Sequence, residues 1–156
     1  MSCNCSTTKT NCGCKSCETL SKVLADSYVL LLKTQNVHWN VVSSDFISIH
    51  LMTDQHYNNL FCAIDVIAER IRMLGGVAPA TFKEFAELAS INDELTAKSG
   101  KEMLEALLAA HEAIRNDIKT GLVEISDAHD YGTETVLTDR LAFHEKTIWM
   151  LKSILN

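Results

Sequence analysis

The sequence predicts an all-α fold: a bundle of four long antiparallel helices, with a short extra helix between the second and third. Three observations predict it. The 156 residues include one proline and six glycines, too few for turn-rich β structure. Apolar residues recur at three- and four-residue spacing through four long segments, the period of a helix that buries one face. Polar or glycine-containing stretches separate the segments, as antiparallel neighbours in a bundle require. The length suits one domain with a substantial core. A hydrophobic fraction of 47% with 22% charged residues is ordinary for a globular protein.

Each element has its own signal. Residues 1–16 are polar and rich in Cys, Thr and Asn, without helical period, and read as a flexible tail. The bundle domain is expected over 17–156. Its first helix should run from Cys17 to about Val42, on Leu20, Val23, Leu24, Leu31 and Leu32. Ser43, Ser44 and Asp45 supply N-cap residues for a second helix, which should reach Leu74 and stop at Gly75-Gly76. Pro79 and a short amphipathic helix, about Thr81 to Ala89, fill the connection. Ser99-Gly100 opens a third helix to about Ile125, and "DAHDYG" reads as a turn. A fourth helix covers about Thr133 to Leu155, with Val136, Leu137, Leu141, Ile148, Leu151 and Leu155 as its apolar stripe.

Charge and cysteine usage narrow the function classes. A net charge of −6 argues against strong sequence-independent binding to nucleic acid. No apolar run approaches the ~20 residues of a membrane span, and the N-terminus lacks the basic-then-apolar order of a secretory signal. The expected location is the cytoplasm. Five of the six cysteines, Cys3, Cys5, Cys12, Cys14 and Cys17, crowd the first 17 residues, and the sixth is Cys62. Cys-x-Cys and Cys-x-x-Cys favour soft metals, Zn(II) or Cu(I), through thiolates. The alternatives are a redox-active thiol tail, inter-subunit disulfides, or cysteines with no role.

The second helix carries the main chemical signal, in "HLMTDQHYNNLFCAIDVIAE". With His50 at ~0° and ~100° per residue, Asp54 falls at ~40°, Asp65 at ~60° and Glu69 at ~100°. Ile49, Met52, Leu60, Ala63, Ile64, Ile67, Ile71 and Leu74 fall at about 200° to 320°, a core-facing stripe. The four candidate ligands therefore point away from the chain's own core. Leu51, Tyr57, Phe61, Cys62 and Val66 share or flank their arc, which suggests a surface buried against another chain. Asp54 and Asp65 lie ~16 Å apart along the axis, too far for one metal. Two copies of the helix packed antiparallel about a two-fold axis near Asn59 and Leu60 would bring His50 and Asp54 of one chain to Asp65 and Glu69 of the other. Imidazole and carboxylate together suit Fe, Mn or Zn. The plainer reading is a solvated charged face.

His38 and Trp39, in "NVHWN" near the end of the first helix, add a further candidate; the alternative is a part-buried histidine beside a core tryptophan. No Glu-x-x-His occurs in the chain, which argues against a di-iron site of the usual kind inside the bundle. His56 falls at ~240°, on the core arc. His111, His129 and His144 carry no spacing signal.

"HW", "HLMTD" and "DVIAERIRMLGG" together resemble the Dps family, the miniferritins. "APATFKEFAELASI" and "HEKTIWMLKSIL" are similar to that family's inter-helix segment and last helix, and the likeness covers roughly residues 20–156. It implies a ferritin-like bundle assembled as a dodecameric hollow shell. It implies ferroxidase sites at two-fold interfaces, with His38, His50 and Asp54 from one subunit and Asp65 and Glu69 from its mate. The implied activity is oxidation of Fe(II), with hydrogen peroxide preferred over oxygen, and storage of ferric oxide inside. Trp39 would absorb stray oxidising equivalents. Asp127 and Asp130, beside Glu124, would line a three-fold pore, unless they only cap helices and solvate the surface. Leu51 departs from the glutamate common after the second histidine. The tail, with Lys9 and Lys15 against Glu18, departs from Lys-rich tails that bind DNA. The competing functions are a DNA-compacting shell and a soft-metal buffer acting through its cysteines.

Overall fold

The computed structural model describes residues 14–93 and 99–156, and the described residues form five helices without strands. Helix α1 spans Lys15–Asn40, α2 Phe46–Met73, α3 Phe82–Leu88, α4 Gly100–Asp127 and α5 Tyr131–Leu155. Helix α1 packs along both α2 and α4, and α4 along α5, while α2 and α5 touch much less. Leu20, Leu24 and Leu30 of α1, Ile49, Leu60, Ile67 and Ile71 of α2, Leu107, Ile114, Ile118 and Ile125 of α4, and Leu137 of α5 are fully buried at the centre. These residues recur at the spacing expected of core-facing helix stripes.

The ends of the helices show how local chemistry sets the frame. Helix α1 begins at Lys15 rather than after residue 16, because Ser16 and Cys17 are already buried. Cys17 lies where α1 meets the end of α2, and a Cβ added to Gly76 would sit 3.1 Å from its sulfur. Packing recruits this first turn although its polar sequence gives no helical signal. Helix α2 starts after Asp45, whose side chain caps nothing. The Asp45 amide instead donates to Ser43 Oγ at 3.2 Å, so the serine shapes the turn. Its end is a Schellman motif: Gly76 N–H donates to Ile71 O and Gly75 N–H to Arg72 O, with Gly75 left-handed at φ 84°.

The connection after α2 is pinned to α1. Thr81 and Glu84 form a reciprocal capping box at the start of α3. Phe85 stacks on Tyr28 of α1 with ring centroids 4.3 Å apart. The buried carboxylate of Asp26 accepts from Ser90 N–H at 2.6 Å, Ser90 O–H at 3.0 Å and Ile91 N–H at 3.3 Å. A second capping box, Ser99 with Glu102, opens α4. Where α4 crosses α1, a Cβ on Gly121 would meet Thr19 Cγ2 at 2.4 Å, so the close approach requires glycine.

The expected two faces of α2 are present. Ile49, Met52, Leu60, Ala63, Ile64, Ile67 and Ile71 are buried, whereas Leu51, Phe61 and Val66 are 58%, 69% and 52% exposed. No helix among the described residues is long and apolar enough to cross a membrane.

Candidate metal centre

Helices α1 and α2 bring His38 and His50 face to face, with ring centroids 3.7 Å apart and planes 16° from parallel. The contact is reciprocal. His38 Nδ1 lies 3.0 Å from His50 O, and His50 Nδ1 lies 3.0 Å from His38 O. A carbonyl only accepts, so each Nδ1 carries a proton, and in the neutral imidazole that tautomer leaves the lone pair on Nε2. His38 O is one of the last carbonyls of α1, which lack an intrahelical donor; His50 satisfies it. Thr53 Oγ1, fully buried and 3.1 Å from His38 Nδ1, is a second acceptor there. Fixing one ring nitrogen by a backbone hydrogen bond is the usual way to aim the other at a metal.

Asp54 follows His50 by one turn and is half-buried. Tyr57 O–H donates to its Oδ1 at 2.6 Å, and that bond raises the phenol's pKa above its usual value, so the proton stays on Tyr57. Asn58 Nδ2 donates to the Asp54 backbone carbonyl at 2.9 Å and reaches Oδ2 at 3.4 Å. Asp65 and Glu69 are exposed, three to four turns farther along α2. The single chain thus gathers His38, His50 and Asp54 at one end of α2's outward face and leaves Asp65 and Glu69 at the other. Among the described residues, no three His, Cys, Asp or Glu side chains are already placed to hold a metal ion. Trp39, beside His38, is 63% exposed, so it is not a core residue in the isolated chain.

The remaining candidates take the following places. Asp130 has partners at the start of α5. It caps α5 by accepting from Thr133 N–H at 3.2 Å, and it accepts from Arg70 Nη2 at 2.6 Å in an ion pair. Asp127 remains exposed at the end of α4. Glu124 pairs with Lys15 at 3.4 Å. In the tail, Cys17 is fully buried in the first turn of α1. Cys14 is half-buried at the N-cap of α1; Cys3, Cys5 and Cys12 lie outside the described residues.

A family model described as "Ferritin-like domain" matches residues 17–156. The chain is 34% identical over 139 residues to DNA protection during starvation protein 2 of Bacillus anthracis, covering 89% of this chain and 95% of that protein. The chain belongs to the Dps family of ferritin-like proteins. The crystal structure of Dps from Staphylococcus aureus superposes with a TM-score of 0.88 at 26% identity, over 94% of this chain and 98% of the other. A Dps protein from Vibrio cholerae O1, described as a member of a broad superfamily of ferritin-like diiron-carboxylate proteins, superposes with a TM-score of 0.85 at 25% identity, over 91% and 89%.

The middle of this Dps bundle holds histidines that the sequence reading did not connect. His56 of α2, His111 of α4 and His144 of α5 are buried together beside Arg140 and Phe143. His111 Nδ1 lies 2.9 Å from His144 Nδ1, so one ring donates and the other accepts. Burial holds all three neutral. It pushes His56 down to about 4, helped by Lys146, and His144 to about 3, helped by Arg140. His111 falls well below its usual range through burial, then His144, His56 and Arg140. The available signal was position: His111 sits between Leu107 and Ile114, and His144 between Leu137 and Ile148, inside the buried stripes of α4 and α5. Tyr57 and Thr53 were likewise not recognised as partners of the candidate ligands.

Proposed function

We propose that this chain is a ferroxidase and iron-storage subunit of the Dps type, with Fe(II) as substrate bound across a two-fold interface. His38, His50 and Asp54 of one protomer face Asp65 and Glu69 of its mate, in a dodecameric shell that keeps ferric oxide inside. The observation that carries this reading is the reciprocal His38–His50 contact, which engages both Nδ1 atoms with backbone carbonyls and leaves both Nε2 atoms outside those bonds, on rings beside Asp54 and its partner Tyr57. The exposed Leu51, Phe61 and Val66 around those ligands supply an apolar surface for the mate.

The chemistry follows from the donor set. Carboxylates favour Fe(III) over Fe(II), so binding at Asp54, Asp65 and Glu69 promotes oxidation. Two Fe(II) held together supply both electrons that reduce hydrogen peroxide to water, which avoids releasing hydroxyl radical. We take peroxide as the preferred oxidant and oxygen as the slower one. Trp39, exposed beside His38, accepts stray oxidising equivalents, and Asp127 is the better-placed acidic residue to draw Fe(II) into a pore. The net charge of −6 disfavours the DNA-compacting reading, and the full burial of Cys17 disfavours a zinc or copper site that includes it.

The shared site has a distinctive test. Asp54→Ala and Glu69→Ala should each slow peroxide-dependent Fe(II) oxidation in stopped flow while native mass shows the shell intact. Co-assembled in equal amounts, the two variants should recover roughly one quarter of wild-type activity: half of the dimers are mixed, and each mixed dimer regains one intact site of two. No recovery on mixing would place all the ligands within one subunit and defeat the reading.

A further inference from the structure

Tyr57 links the two elements that build the half-site. Three residues after Asp54, it lies on the same side of α2, and its phenol donates to Asp54 Oδ1 at 2.6 Å. That length suits a hydrogen bond to a charged acceptor. The ring of Tyr57 also meets the His38 ring edge-on, with centroids 5.2 Å apart and planes 76° from parallel. One side chain therefore touches a ligand candidate on α1 and another on α2.

We propose that Tyr57 is a positioning residue of the iron site. Its phenol occupies Asp54 Oδ1 and leaves Oδ2 as the oxygen offered to Fe(II), while its ring edge holds the His38 imidazole against His50. The inference rests on the reading of these residues as Fe(II) ligands. An unrestrained carboxylate rotates among several presentations and loses that freedom when it binds; Tyr57 fixes one presentation before the substrate arrives. Asn58 cannot replace it, because its amide is engaged mainly by the Asp54 backbone carbonyl at 2.9 Å and reaches Oδ2 only at 3.4 Å. The effect falls on substrate binding and not on electron transfer, so KM should respond and kcat should not.

The test compares the assembled wild type with Tyr57→Phe and Asp54→Ala. Phenylalanine keeps the ring against His38 and removes only the hydroxyl, so native mass and melting temperature should match wild type. Anaerobic titration with Co(II), a redox-inert stand-in for Fe(II), reads affinity through its visible ligand-field band. Fe(II) saturation curves with peroxide separate KM from kcat. Tyr57→Phe should bind Co(II) roughly 10-fold more weakly, within the range for lost outer partners of metal ligands, with KM raised in parallel, kcat retained and the Co(II) band shifted. Unchanged Co(II) affinity and KM in Tyr57→Phe, alongside a loss in Asp54→Ala, would overturn the positioning role alone. Wild-type behaviour in Asp54→Ala would overturn the ligand assignment and the inference with it.

Discussion

His129 shows how a single backbone position departs from what its residue type prefers. It closes α4 at φ 56°, the left-handed conformation, and its N–H donates to Ser126 O while Asp130 N–H donates to Ile125 O. This is the same hydrogen-bond pattern that Gly75 completes after α2. The "DAHDYG" turn is legible in the sequence, but its geometry is not, because the glycine there is not the left-handed residue. Gly132 lies in the first turn of α5, where a Cβ would come within 2.8 Å of the Arg70 guanidinium. That guanidinium is itself held by Asp130 and Thr133. The glycine is thus reserved for a tertiary contact, and histidine bears the left-handed strain. His129→Gly should therefore stabilise the protein by about 0.5–1 kcal/mol, the penalty for a side chain in this conformation less the added freedom of the unfolded chain. Urea unfolding checks it; a lower midpoint would show that the His129 side chain contributes more than its backbone costs.

At the scale of one element, α2 has a buried face and an outward face that carries both apolar residues and candidate ligands. Helical periodicity was enough to separate the faces. The residues at about 200° to 320° are buried except the half-buried Leu74, and His50, Asp54, Asp65 and Glu69 share the other side. The partners of the ligands were less legible. Tyr57 read as one aromatic on an outward arc, and only the packing of α1 on α2 shows that it joins Asp54 to His38. The outward face yields a prediction of its own. Phe61 is 69% exposed, so Phe61→Glu should change protomer stability by no more than about 0.5 kcal/mol. In the proposed dimer the same carboxylate would be taken out of water without a partner, at a cost of several kcal/mol. Analytical ultracentrifugation should find folded protomers that fail to pair; an intact shell with normal mass would remove Phe61 from the interface.

At the scale of the whole molecule, the helix count, order and connections were legible because each depends on residues close in sequence. The convergence of His56, His111 and His144 was not, because it requires three helices to meet and no spacing along the chain encodes that meeting. Its consequence is global. Each of these imidazoles is held below the ordinary value of about 6.5, and in the unfolded chain each would titrate near that value. Between about pH 6.5 and the folded-state values of about 4 for His56 and about 3 for His144, the unfolded chain binds protons that the folded chain refuses. Stability from this cluster is therefore complete above about pH 6.5 and is lost as pH falls, by up to about 1.4 kcal/mol per pH unit for each histidine. Nothing in the cluster relieves the cost, since the charged groups that lower these values are Arg140 and Lys146. Replacing both members of the hydrogen-bonded pair, His111→Leu with His144→Leu, removes two of the three sites and leaves no orphaned partner. Denaturant midpoints measured at pH 7 and pH 5 should fall steeply in the wild type and much less in the double variant. Equal falls in both proteins would mean that acid lability arises outside the bundle's histidine core.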